Sequence, residues 1–314
     1  MTVDPTTRAV IDAMTEVFPK VGTEVLDAAE ARRILAAMPF PEAEPVGRIE
    51  DRTAGDIPIR VYWPVEQGPL PVVVYFHGGG FTLCDLDTHD GVCRDLCRGA
   101  EAIVISVDYR LAPEHPYPAG PDDAYAATIW AHEHAAELGG DPSRLAVAGD
   151  SAGGNLAAVT ALRARDLGGP PIGFQLLIYP ATDAAMDTPS HKENAEGYFL
   201  TAAHMRWYWD QYQPSPERRA EPYSSPLHAD LRGLPPALVL TAEYDPLRDE
   251  GEAYAVRLAE AGVPVRSVRY DGMFHGFWGM GAFLPAAQEA MDRATEGLRD
   301  IVWAPGGDQE RPHE

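Results

Sequence analysis

Two stretches near the start of the chain repeat apolar residues at helical spacing. Val10, Ile11, Met14 and Val17 or Phe18 do so within 5–18, and Val25, Leu26, Ile34, Leu35 and Met38 within 24–38. A Pro-rich stretch from Pro39 to Pro45 closes this section, and the period changes. Residues 46–51 and 57–63 (IPIRVYW) alternate as half-buried strands do. From residue 70, short apolar runs alternate with amphipathic stretches. The runs are 72–76 (VVVYF), 102–107, 144–149, 172–179, 237–242 and 265–270, and the helical stretches are 88–98, 121–138, 153–166, 247–262 and 284–302. A run apolar at every position reads as a strand covered on both faces. Eight strands, the later ones alternating with helices, predict an α/β fold with one mostly parallel eight-stranded sheet flanked by helices. Residues 183–235 break the alternation. They hold no clean strand, but place Tyr198, Phe199, Leu200, Trp207, Tyr208, Trp209 and Tyr212 at helix-like spacing, as a lid or a packed subdomain would. The Pro/Gly/acid-rich tail, 304–314, reads as frayed.

Charge narrows the function. Acidic residues outnumber basic ones 48 to 25 in 314 residues, a formal net charge of -23. Such a surface repels phosphate backbones and anionic lipid heads, so nucleic-acid binding and polybasic membrane docking are set aside. No apolar run is long enough to cross a bilayer, and the first residues lack the apolar core of a signal peptide, so a cytoplasmic protein without membrane insertion is expected. Cys84, Cys93 and Cys97 are too few for a disulfide framework, and no nearby His/Cys set completes a metal site, so plain thiols and no metal are expected.

The sharpest local signal is Gly149-Asp150-Ser151-Ala152-Gly153, directly after the run 144–149 and directly before a helical stretch. A serine on a tight strand-to-helix turn has its hydroxyl pushed out of the sheet, beside the positive end of the helix. The pattern alone is weak, and a phosphate-binding turn would look similar. The second signal is His77-Gly78-Gly79-Gly80, directly after the run 72–76. Consecutive glycines let amides turn toward one point, as an oxyanion site requires. Here Gly79, Gly80 and Ala152 are the expected donors, while His77, with Gly78 and Asp150, supports the loop. A serine hydroxyl needs a base, and the base an orienting acid. In the chain order serine, acid, histidine, the acid falls just past 237–242 and the base just past 265–270. Asp245 meets the first condition, with Asp249 the weaker candidate, and His275 meets the second.

With these residues in place the chain resembles the hormone-sensitive lipase-like (bacterial family IV) carboxylesterases. The pieces are HGGGF at 77–81, DYRLAPEHPYPA at 108–119, GDSAGGNLA at 149–157, YDPLRDEG at 244–251 and FHGF at 274–277. The resemblance implies an α/β-hydrolase fold with a helical cap. The cap would be made of N-terminal helices (1–42) and an insertion (183–220) over a catalytic core (43–182 and 221–304), with a C-terminal tail at 305–314. It implies hydrolysis of small-molecule, short- to medium-chain neutral acyl esters through Ser151, His275 and Asp245, with no cofactor and a possible homodimer. Phe199, Leu200, Trp207 and Tyr208 are the candidate substrate walls, although simple packing between helices would use the same residues. An acyltransferase, amidase or lactonase would use the same triad, and a non-catalytic binding protein would lack the histidine. One departure is Cys84, at a place where this family usually has glycine.

Overall fold

The computed structural model describes residues 3–39 and 43–302, the last two without their side chains. Part of the Pro-rich stretch, and with it the cap boundary at 42, lies outside the described residues, as does the tail.

Nine α-helices and eight strands are described. The first two helices, α1 (Pro5–Val17) and α2 (Ala28–Ala36), start at acidic caps. Asp4 accepts from the amides of Thr6 and Thr7 ahead of Pro5, and Asp27 accepts from that of Glu30. The strands are β1 (Arg48–Ala54), β2 (Ile57–Trp63), β3 (Leu70–Phe76), β4 (Ile103–Val107), β5 (Gly140–Asp150), β6 (Ile172–Ile178), β7 (Ala237–Tyr244) and β8 (Val265–Phe274). They form one sheet in the order β1-β2-β4-β3-β5-β6-β7-β8. β2 runs antiparallel to β1 and β4, and every other pairing is parallel. The eight-stranded, mostly parallel sheet expected from the pattern is therefore present.

Both faces of that sheet are covered. In β3, Val72, Val74 and Phe76 join one apolar cluster, and Val73 and Tyr75 join another. The first cluster is closed by α4 (Ala119–Leu138), α5 (Ala152–Leu167) and α8 (Arg248–Glu260). The second is closed by α3 (Asp90–Ala100) and α9 (Pro285–Val302). This explains the unbroken apolar run of β3, since neither side of the strand meets water. The thiols are free, with Cys93 and Cys97 buried in the second cluster.

Element ends differ from expectation where polar residues carry a strand. β1 runs to Ala54, past the expected 51, because Arg52 and Thr53 pair with Ile59 and Pro58 before the turn at Gly55. β5 starts at Gly140, which pairs with Leu70. The inserted segment holds α6 (Pro189–Glu193) and α7 (Ala202–Tyr212) and no strand. Tyr198, Phe199 and Leu200 are not helical as their spacing suggests. Gly197 and Phe199 have φ of 87° and 75°, so these residues form a turn that ends at the Thr201 cap of α7.

The insertion packs on the N-terminal helices. The Trp207 indole donates to the Leu26 carbonyl at 3.2 Å, and the Arg8 guanidinium donates to that of Gly197 at 2.7 Å. No helix among the described residues is long and apolar enough to cross a membrane.

Candidate active site

His77, Ser151, Asp245 and His275 each stand one residue past the C-terminal end of a parallel strand: β3, β5, β7 and β8 respectively. Open α/β sheets gather their chemistry at these ends, next to the point where the strand order reverses. Here that point lies between β3 and β5.

Ser151 sits at φ 56° and ψ −117°, a sparsely populated conformation that costs about 1–3 kcal/mol. Two backbone hydrogen bonds help to hold it. Its amide donates to the Ile178 carbonyl at 2.8 Å, and its carbonyl accepts from the Ala181 amide at 3.1 Å. The flanking glycines are a steric requirement. A Cβ on Gly153 would run into the Phe76 carbonyl, and one on Gly149 into the Gly153 carbonyl. Strand β3, the serine turn and α5 therefore meet backbone to backbone.

The serine turn meets two other loops. His275 Nε2 lies 2.9 Å from Ser151 Oγ, and His275 Nδ1 lies 2.8 Å from Asp245 Oδ2. A carboxylate oxygen accepts, so Nδ1 carries the hydrogen and the Nε2 lone pair faces the serine hydroxyl. Asp245 has no exposed surface, and His275 is 6% exposed. The second carboxylate oxygen of Asp245 accepts from the Leu247 amide at 2.8 Å. Asp249, the weaker candidate, is engaged elsewhere, by the Ser190 amide and the Arg248 side chain.

The Gly79 and Gly80 amides have no protein acceptor among the described residues. Ala152 is the first residue of α5, where helix geometry leaves the amide unbonded. Gly79 and Gly80 have φ of 102° and 61°, conformations that favour glycine. Their loop is held from below by Asp150, which accepts from the Gly78 amide at 3.1 Å and the Tyr75 hydroxyl at 2.6 Å. Burial alone would raise the Asp150 carboxyl. The His89 ring 3.4 Å away and the Tyr75 hydroxyl outweigh it and hold the carboxyl below its usual value. His77 has no exposed surface, and burial together with His89 pushes it down to about 4. It is neutral at pH 7, stacks on Tyr109 at 4.4 Å and lies with Nδ1 2.8 Å from the Gly78 carbonyl. Tyr75 and His89 carry no motif of their own in the sequence. They reach Asp150 only through the fold, across separations of 75 and 61 residues.

Cys84 has φ 68°, and its Sγ would lie 2.9 Å from a Cβ on Gly79. A left-handed backbone beside the glycine loop accounts for glycine being the usual choice at this position, and the thiol fills that corner here. Of the four candidate substrate walls, Tyr208 covers Gly80, since a Cβ there would enter its ring. Phe199 approaches Gly276, next to His275, at 3.2 Å from a Cβ placed there. Leu200 is buried in the first cluster, and Trp207 packs on Gly22 and the Leu26 carbonyl.

A cavity of about 420 Å³ lies between the N-terminal helices and the insertion, with Phe18, Phe199, Thr201, Ala203, His204 and Arg206 in its wall. His204 is 8% exposed, and burial lowers its pKa from 6.5 to about 4. Between those values the unfolded chain takes up a proton that the folded chain refuses, so this residue costs stability as pH falls. His204→Leu removes the effect. Its stability relative to the parent protein is expected to rise on going from pH 7 to pH 5, with a slope of up to about 1.4 kcal/mol per pH unit. Urea unfolding of both proteins across that range measures the slope, and parallel curves would refute the assignment.

A serine on a strained turn between a parallel strand and a helix, chained to a histidine and an acid from later strand ends, defines an α/β-hydrolase. Residues 73–279 match the family model described as alpha/beta hydrolase fold, and the chain belongs to that family. It is similar to carboxylesterase NlhH of Mycobacterium tuberculosis, with 50% identity over 312 residues covering 96% of this chain and 97% of the relative. Esterase LipI of the same species is 47% identical over 96% of this chain and 95% of its own. Among solved structures, a hyperthermophilic esterase from the archaeon Pyrobaculum calidifontis superposes with a TM-score of 0.89 at 42% identity, covering 97% of this chain and all of that one. The resemblance to the hormone-sensitive lipase-like carboxylesterases is thereby borne out.

Proposed function

We propose that the protein is a serine carboxylesterase that hydrolyses short- to medium-chain neutral acyl esters through an acyl-enzyme on Ser151. One observation carries this reading: the hydrogen-bonded chain Asp245–His275–Ser151, at 2.8 and 2.9 Å, beside a glycine loop with unbonded amides. Kinship with proteins named as carboxylesterases and esterases gives the class, carboxylic ester hydrolase.

In this reading the Ser151 hydroxyl attacks the ester carbonyl and passes its proton to His275 Nε2. Asp245 holds the ring in the Nδ1–H tautomer and stabilises the cation that forms. The amides of Gly79, Gly80 and Ala152 receive the developing oxyanion. Each is worth about 3–4 kcal/mol of transition-state stabilisation if it acts as such donors do elsewhere. The protonated His275 gives its proton to the departing alcohol. Water then repeats the sequence on the acyl-enzyme, and the acid leaves. Every step uses groups of the chain itself.

The expected division into a helical cap (1–42 and 183–220) on a core (43–182 and 221–304) is part of this proposal, as far as its described residues go. The bonds of Trp207 to Leu26 and of Arg8 to Gly197 support this division. Phe199 and Tyr208 line the substrate space, while Leu200 and Trp207 back it. A net charge of -23 disfavours anionic esters at long range and leaves neutral ones unaffected. A cytoplasmic homodimer completes the reading. A series of p-nitrophenyl esters from acetate to palmitate tests it. We expect kcat/KM to peak among the short to medium acyl chains and to fall steeply for the long ones. No turnover at any length would overturn the proposal.

A further inference from the structure

The turn that carries Asp245 is fastened to the inserted segment by a set of buried polar contacts. Ser190, in α6, donates its hydroxyl to the Pro246 carbonyl at 2.6 Å and its amide to Asp249 Oδ2 at 2.8 Å. The Asp249 amide returns a bond to Ser190 Oγ at 3.2 Å. Asn194, one residue past α6, donates its side-chain amide to the carbonyl of Asp245 itself at 3.2 Å. Ser190 has no exposed surface and Asn194 is 3% exposed. Two further contacts brace the same junction. The Arg248 guanidinium spans Asp249 and Glu193, and Glu250 Oε1 accepts the amides of Thr182 at 2.7 Å and Asp183 at 3.1 Å.

The orientation of the Asp245 carboxylate depends on this turn. One of its oxygens is held by the Leu247 amide, and only the other meets His275. The backbone of 245–247 thus sets the direction of the carboxylate, and two of its three carbonyls, those of Asp245 and Pro246, are held from the insertion. Nothing in substrate binding requires this arrangement, because Ser190 and Asn194 face the acid's turn and are buried there.

We propose that Asn194 and Ser190 are positioning residues for Asp245, so that the inserted segment sets the geometry of the Asp245–His275 bond as well as enclosing the substrate. This rests on the reading of Ser151, His275 and Asp245 as the catalytic chain. The contacts of α6 carry a second consequence. Asp249 is the anchor on the core side to which the insertion is tied, which gives the weaker acid candidate a structural reason to be an acid.

A double-mutant cycle on the full chain tests the proposal. Asn194→Leu, branched at Cγ like asparagine but without a donor, is combined with Asp245→Asn, and kcat and KM are measured with p-nitrophenyl acetate. Asn194→Leu alone is expected to lower kcat by about 10- to 100-fold, as small misplacements of reacting groups do, with KM within about twofold of the parent. In the Asp245→Asn background the same change is expected to lower kcat by less than about twofold, because the group it acts through is gone. Ser190→Ala provides the same cycle with a smaller steric change, should Asn194→Leu not fold. An equal loss in both backgrounds, or a raised KM at unchanged kcat, would overturn the proposal. If Asp245→Asn by itself leaves kcat untouched, the catalytic reading fails first and the positioning role falls with it.

Discussion

Ser151→Ala is expected to lower kcat by about 10⁴–10⁶-fold on any ester the protein turns over, because the nucleophile is gone while the rest of the site stays in place. What remains is the weak catalysis that binding and oriented amides give without a covalent step. The fold is expected to survive. Alanine at φ 56° bears the same backbone cost that serine does, and among the described residues Ser151 Oγ bonds only to His275. The melting temperature should therefore stay within a few degrees of the parent value. Steady-state kinetics with a p-nitrophenyl ester, alongside calorimetry of both proteins, reads the two numbers. Activity within tenfold of the parent would show that another group attacks the ester.

Asp245→Asn is expected to cost about 10⁴-fold in kcat. The side-chain amide keeps the size of the carboxylate but can present a donor to His275 Nδ1. The ring then shifts its hydrogen to Nε2, where it faces Ser151 Oγ and can no longer take the serine proton. The effect acts on kcat, since Asp245 has no exposed surface and stands behind the ring. A change confined to KM would place Asp245 outside the catalytic chain. The comparison also separates the two acids of this turn. Asp249 bonds to Ser190 and Arg248 and makes no contact with His275, so its role is to seat the insertion.

Much of this arrangement is legible in the sequence, for a physical reason. Three of the four strands that carry the site, β3, β5 and β7, lie inside the sheet, so 72–76, 144–149 and 237–242 stand out as largely apolar runs, while β8, which leads to His275, is an edge strand most of whose residues meet water. Each of the three runs leads within three residues to a candidate site residue, His77, Ser151 and Asp245 respectively. The glycines stand out too, because Gly149 and Gly153 sit where backbones touch and no side chain fits. The edge of the sheet is harder to read. β1 continues through Arg52 and Thr53, whose side chains meet water and carry no strand period. The aromatic run of the insertion misleads in part, because Gly197 and Phe199 turn the chain before α7 begins. The supports of the site are not visible at all. Tyr75 and His89 reach Asp150, and Ser190 and Asn194 reach the Asp245 turn, across dozens of residues. Pairings of that kind follow from the order of the strands and leave no local pattern.

The account stands most directly on a covalent event at one atom. The parent protein is incubated with diethyl p-nitrophenyl phosphate and analysed by intact and peptide mass spectrometry. The expected result is a single diethylphosphoryl adduct on the peptide containing Ser151, formed in step with loss of activity, absent in Ser151→Ala and strongly slowed in His275→Ala. Full loss of activity with the adduct on another residue, or an adduct that forms equally fast without His275, would contradict it.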